Sequence, residues 1–263
     1  MGILSYFKQP KVTKLAWKVW QRNRDVFSKT YRVNFIPPFL EPLLYLLALG
    51  FGLGYFVKEI EGLSYSVFIA PALISISVMN SAFFECTYGS FVRMYYQKTF
   101  AAIIATPLNL DDVIAGELIW GATKSLINGG IILLVVSAFG LVNFSLALLI
   151  LPLSFLGGFL FAGLGMLFTA ISPNIDSLNY PTFLLITPML LFSGTFFPLS
   201  ILPKAIQTLA FVALPLTNLV SIIRGLTLNS LGWLQLFNLA WILIFSIVLA
   251  ILSINLMKKR LIE

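Results

Sequence analysis

Histidine is absent from this 263-residue chain, and cysteine occurs once, at Cys86. The first absence removes the usual general base near neutral pH and the commonest metal ligand. The second excludes an internal disulfide. Charge is scarce too: 10% of residues are Asp, Glu, Lys or Arg, against about 25% in soluble domains. The sequence contains no G-x-x-x-x-G-K-[ST] stretch, so it carries no P-loop for nucleotide hydrolysis. Also missing are the ten-residue alternating segments of an outer-membrane barrel. These absences argue against catalysis, a metal site or a resident cofactor in this chain.

What fills the chain instead is apolar surface. It is 59% hydrophobic with a mean hydropathy of +0.96. Several separate runs approach the ~20 residues that cross a hydrocarbon core of about 30 Å. The expected class is an all-α, multi-pass integral membrane protein, because only helices satisfy their backbone groups in lipid without a closed barrel. The net charge of +7 invites comparison with nucleic-acid binders. The basic residues, however, gather at the N-terminus and in a few loops, where anionic lipid and membrane orientation account for them.

Residues 1–32 are expected to form an amphipathic interfacial helix rather than a cleavable signal, since no small-residue cleavage site follows a short apolar core. Val12, Leu15, Ala16, Val19, Trp20 and Phe27 share one face, and Lys11, Lys14, Lys18 and Arg22 form a basic stripe beside it. A plain positive-inside anchor requires the same charges. Residues 33–263 are read as one domain of six spans, at about 39–57, 65–86, 112–139, 146–171, 180–197 and 233–257. Pro37, Pro38 and Pro42 mark the start of the first, with Glu41 near its inner end. Gly157, Gly158, Ala162, Gly163 and Gly165 predict close helix packing in the fourth. Arg93, Lys98, Lys258, Lys259 and Arg260 fall on the side of the N-terminal cluster, against Lys58, Lys204 and Arg224 on the other. Both termini are therefore expected in the cytoplasm and the protein in the inner membrane. Ahead of the last span, 203–228 is apolar but interrupted at Pro215, which reads as two half-helices dipping into the outer leaflet or as a surface hairpin.

Two groups of polar residues stand out. Glu85, Glu117 and Lys124 lie within expected spans, where an unpaired charge costs several kcal/mol. Glu117 and Lys124 are seven apart, on one helix face and about 10 Å apart along the axis. An inter-helix network is expected from the three, serving structure or else gating and the transport path. The second group is the aromatic, mildly basic stretch 83–117, in which Phe91, Met94 and Tyr95 fall at helical spacing and Pro107 ends the pattern. It reads as a helical elbow whose outer surface docks a partner protein, or as a loop helix lying on head groups. An ion-coupled carrier using Glu85, Glu117 and Lys124, or a non-transporting scaffold, are the alternatives to ATP-driven transport.

The combination of six spans, an elbow after the second and a paired re-entrant segment before the sixth resembles the permease subunits of ABC-2-type exporters. Three segments carry the resemblance: GSFVRMYYQKTFAAIIATPL with the following GELIW, SGTFFPLSILP from Ser193, and PLTNLVSIIRG from Pro215. The first looks most like nodulation-type lipo-oligosaccharide exporters. The resemblance implies a separate ATP-binding cassette subunit that binds ATP and Mg, a second copy of this chain, contact with membrane lipid and no role for nucleic acid. It implies that the elbow, 90–106, couples ATPase closure to helix movement through Arg93, Tyr95, Tyr96, Gln97, Lys98 and Thr99, with Thr106 and Pro107 closing the segment. It further implies an external segment built on Pro198, Pro203, Pro215, Asn218 and Arg224, and a path between two copies lined partly by the first, second and fifth spans. Asn218 stands where many relatives have histidine, and asparagine does not titrate near neutral pH.

Overall fold

In the computed structural model of the protein the described residues are 7–30, 40, 43–57, 59–142 and 144–262. Pro37, Pro38, Glu41, Pro42, Lys58 and Asn143 lie outside them. The elements in order are α1 (Ala16–Lys29), α2 (Leu43–Tyr55), a two-residue hairpin of β1 (Glu59–Ile60) and β2 (Leu63–Ser64), α3 (Tyr65–Tyr96), α4 (Thr99–Ile104), α5 (Leu110–Ala138), α6 (Phe144–Ala147), α7 (Ile150–Ile171), α8 (179–192), α9 (Lys204–Ala213), α10 (Pro215–Thr227) and α11 (Trp233–Ile262).

Four helices, α3, α5, α7 and α11, are long and apolar enough to cross a membrane, and α9 with α10 forms a pair bent by 93° that passes the same test together. The described structure thus holds four or five candidate spans rather than the six expected. The difference lies in the first and fifth. Of the first, the described helix is α2, 13 residues or about 20 Å at 1.5 Å per residue. The fifth leaves helical geometry at Ser193, and Gly194 turns the chain with φ +70°, so residues 193–197 do not extend it.

α7 is the axis of the bundle, packed against α3, α5 and α11. Its small residues make that possible: a Cβ on Gly158 would lie 2.5 Å from the Cβ of Ser125 on α5, closer than two carbon atoms can approach. Around α7 the core continues through Phe68, Ile74, Phe83, Ile114, Leu118, Phe161 and Met166, all essentially inaccessible. Few residues of α11 are fully buried, as suits a helix with one side facing hydrocarbon or another chain.

The helix ends that carry most of the basic residues are tied together by the start of α5. Asn109 and Asp112 form a reciprocal capping box. Asp112 also accepts the backbone N–H of Thr13 at 2.6 Å and its hydroxyl at 3.0 Å. Asp111 accepts the backbone N–H of Lys11 at 2.8 Å and pairs with Lys258 of α11 at 2.7 Å. The segment before α1 is thereby clamped between α5 and α11. Because Asp112 is buried, Asp112→Ala is expected to cost about 1–2 kcal/mol, read as a fall in the thermal midpoint of the detergent-solubilised chain.

At the other end, α10 is buried along most of its length while α9 is largely exposed. Pro203 precedes α9, and Pro215 opens α10 at its first position, where a missing N–H is harmless. Pro198 leads into a short 3₁₀ turn. Asn218 Nδ2 donates across the bend to Phe211 O at 3.0 Å. Arg224 donates to Gly194 O at 2.8 Å and lies over the Phe68 ring at 4.2 Å. This cation fastens α10 to α3 and to the exit of α8.

Candidate functional site

α3 does not stop near Cys86 but runs on to Tyr96, two turns of it wound as π-helix, at Glu85–Gly89 and Val92–Tyr96. Such turns carry one extra residue and re-aim side chains. Glu85 and Arg93 both sit in them, and both point at α5. Arg93 Nη1 pairs with Glu85 Oε1 at 2.8 Å, and its Nε and Nη2 reach Glu117 Oε2 at 2.9 and 2.6 Å. Lys124 Nζ pairs with Glu85 Oε2 at 2.8 Å.

Neutral donors complete the set. Trp120 Nε1 donates to Glu85 Oε1 at 3.1 Å, Ser90 Oγ to Glu117 Oε2 at 2.8 Å and Asn23 Nδ2 to Glu117 Oε1 at 2.8 Å. All four carboxylate oxygens are therefore occupied. Two anions face two cations, and Glu117 is only 1% exposed. Removal of one partner from such a set strands a buried charge.

The structure thus brings Glu85, Glu117 and Lys124 together and adds Arg93, which the sequence reading had placed on the ATPase-coupling surface. In this network the Arg93 guanidinium pairs with both carboxylates. Asn23 and Ser90 were also missed. Asn23 shares a face with Ala16 and Val19 at i, i+3 and i+7, a pattern in which a polar residue marks the point where a buried partner waits.

α1 therefore does more than lie on a surface. It crosses α5 at Gly116, whose added Cβ would stand 2.5 Å from Val19 Cβ and 2.7 Å from Ala16 O. Trp20 Nε1 donates to Thr123 Oγ1 at 2.9 Å, and Phe27 meets Trp120 edge-on at 5.5 Å. Val12 and Leu15, assigned to the same apolar face, remain exposed. Gly116→Leu should push α1 off α5 at a cost of about 1–3 kcal/mol. Faster protease cleavage within residues 8–29 would register the displacement.

Beyond the network the chain turns a corner. Lys98 adopts a left-handed conformation, φ 55°, and α4 leaves in a new direction with Phe100 buried beneath it. Tyr95, Tyr96, Gln97 and Lys98 are exposed on the corner, Thr99 is half-buried, and Thr106 and Pro107 are exposed at its far side. The tyrosines are built out from buried Phe91, which stacks on Tyr95 at 5.6 Å, and Lys98 Nζ sits 5.0 Å from the Tyr95 ring. Among the described residues no group of His, Cys, Asp and Glu could hold a metal ion.

Comparison with known proteins bears on this arrangement. The family described as ABC-2 type transporter matches residues 14–228. Nodulation protein J of Sinorhizobium fredii (strain NBRC 101917 / NGR234) is 35% identical over 93% of this chain and 93% of its own. Nodulation protein J of Rhizobium leguminosarum bv. trifolii is 39% identical over 82% of each. The inner membrane transport permease YadH of Escherichia coli (strain K12) is 28% identical over 81% of this chain and 82% of its own.

Proposed function

Because the chain belongs to the ABC-2 type transporter family, we propose that it is the permease subunit of an ATP-driven exporter whose cargo is amphipathic, of lipo-oligosaccharide, polysaccharide-lipid or drug-like type. ABC-2 permeases are multi-pass transport subunits that lack an ATPase domain and work with an ATP-binding cassette partner. In this reading the partner supplies ATP and Mg, two copies of the chain form the passage with six spans each, and both termini lie in the cytoplasm of the inner membrane. The lipo-oligosaccharide class rests on the resemblance of GSFVRMYYQKTFAAIIATPL and GELIW to nodulation-type exporters.

The observation that carries the reading is a juxtaposition on α3. The exposed corner at Tyr95–Lys98 begins two residues after Arg93, whose guanidinium is locked to α3 and α5 carboxylates. Force applied at the corner would pass into two membrane helices and, through Asn23, into α1. A flexible tether would dissipate it. The ion-coupled alternative has no comparable support, because every oxygen of Glu85 and Glu117 already holds a donor.

The test is co-purification with an ABC ATPase encoded beside the gene, followed by transport of a fluorescent lipo-oligosaccharide in sealed vesicles. ATP-dependent movement is expected, insensitive to sodium. Transport that persists after the ATPase is removed would overturn the assignment.

A further inference from the structure

A cavity of about 420 Å³ lies over the ion network, between α1 and the facing parts of α3 and α5. Glu85 and Trp120 form its buried floor, and Val26, Thr30 and Gln97 are exposed at its mouth. Its charges do not balance. Three cations line it, Arg22, Arg93 and Lys124, whereas the carboxylates of the network are Glu85 in the lining and Glu117 behind Arg93. Arg93 and Lys124 neutralise these two. Arg22 is left over: its Nη1 donates to Asn23 Oδ1 at 2.8 Å, and among the described residues no carboxylate pairs with it.

We propose that this cavity binds the phosphate of a membrane amphiphile, gripped by Arg22 and Lys124, with the apolar part of the ligand leaving past Val26 and Phe27. A guanidinium and a second cation lining one cavity suit an oxyanion, since the guanidinium N–H groups fork onto two oxygens. Lys124 uses Nζ on Glu85 Oε2, and an ammonium has three donors. Burial, and then the neighbouring Arg93 cation, hold the Arg22 guanidinium below its ordinary range against the opposing pull of Glu117. An arriving anion would relieve that repulsion. The choice of an amphiphile over a soluble anion rests on the mouth, where Val26 is 50% exposed beside Phe27.

The binding needs no ATPase, so its failure and that of the exporter reading are separable. Isothermal titration of the whole chain in a neutral maltoside detergent would use dioctanoyl phosphatidic acid as the probe, with dioctanoylglycerol and inorganic phosphate as comparison ligands. Phosphatidic acid is expected to bind, dioctanoylglycerol not to. Arg22→Gln should weaken binding about tenfold or more, and Arg22→Lys should retain most of it, which separates lost charge from lost fold. Lys18→Gln removes the same charge from the exposed side of α1 and should leave affinity unchanged. Equal loss in Lys18→Gln, or no loss in Arg22→Gln, would overturn the site. Inorganic phosphate binding as tightly as the lipid would overturn the amphiphile.

Discussion

Replacing Glu117 by alanine is expected to cost the fold about 3–5 kcal/mol, the largest single loss in this protein. The substitution leaves the buried Arg93 guanidinium with one carboxylate instead of two, deprives Asn23 Nδ2 of its acceptor and leaves Ser90 Oγ only the longer bond to Glu85 O at 3.4 Å. Each lost bond adds to the penalty of the unpaired charge. The measurement is the thermal midpoint of the purified chain, with size-exclusion of the heated sample as a second readout. Unchanged melting would mean that the network contributes nothing to cohesion.

A charge-balanced partner separates stability from mechanism. Arg93→Met combined with Glu117→Leu removes one cation and one anion and fills the space with apolar atoms, while Glu85 keeps Lys124 and Trp120. Most of the lost stability should return, because an apolar replacement of a buried pair is often neutral. If the network only holds the helices, transport by this double variant recovers with the fold. If it transmits the stroke, the fold recovers and transport does not.

The second large effect is expected at the corner. Tyr95→Glu with Tyr96→Glu should abolish ATPase-driven transport while leaving the thermal midpoint nearly unchanged. The two rings are 52% and 59% exposed, and surface substitutions usually alter stability by no more than about 0.5 kcal/mol. Buried tyrosines at the centre of an interface contribute about 2 kcal/mol or more apiece, roughly 30-fold in affinity each. The double variant should therefore lose about a thousandfold in affinity for the ATPase, measured by pull-down and by stimulation of ATP hydrolysis in lipid nanodiscs. Phenylalanine at both positions keeps the apolar area and should keep most of the binding. Full coupling in the glutamate variant would remove the corner from the docking surface.

Much of this molecule was legible along the chain because a bilayer allows few solutions. Length and apolarity decide that a segment spans, and α3, α5, α7 and α11 follow from runs that any residue-by-residue reading finds. Pro215 fixes the break between α9 and α10 because it lacks an N–H and its ring forbids a continuous helix. The membrane cost of charge announces Glu85, Glu117 and Lys124 as partners of something.

The partners themselves came only from three dimensions. Arg93 sits eight residues after Glu85, and on an ordinary helix that spacing gives no reason to choose the network over the neighbouring surface. Two π-helical turns, which leave no mark in the pattern of apolar residues, rotate it inward. The seat of α1 depended on a missing Cβ at Gly116 and on Asn23 meeting Glu117 from 94 positions away. Local periodicity reports which face of a helix is apolar. The identity of the surface that covers that face is set by contacts between distant stretches of chain, and those exist only once the helices have packed.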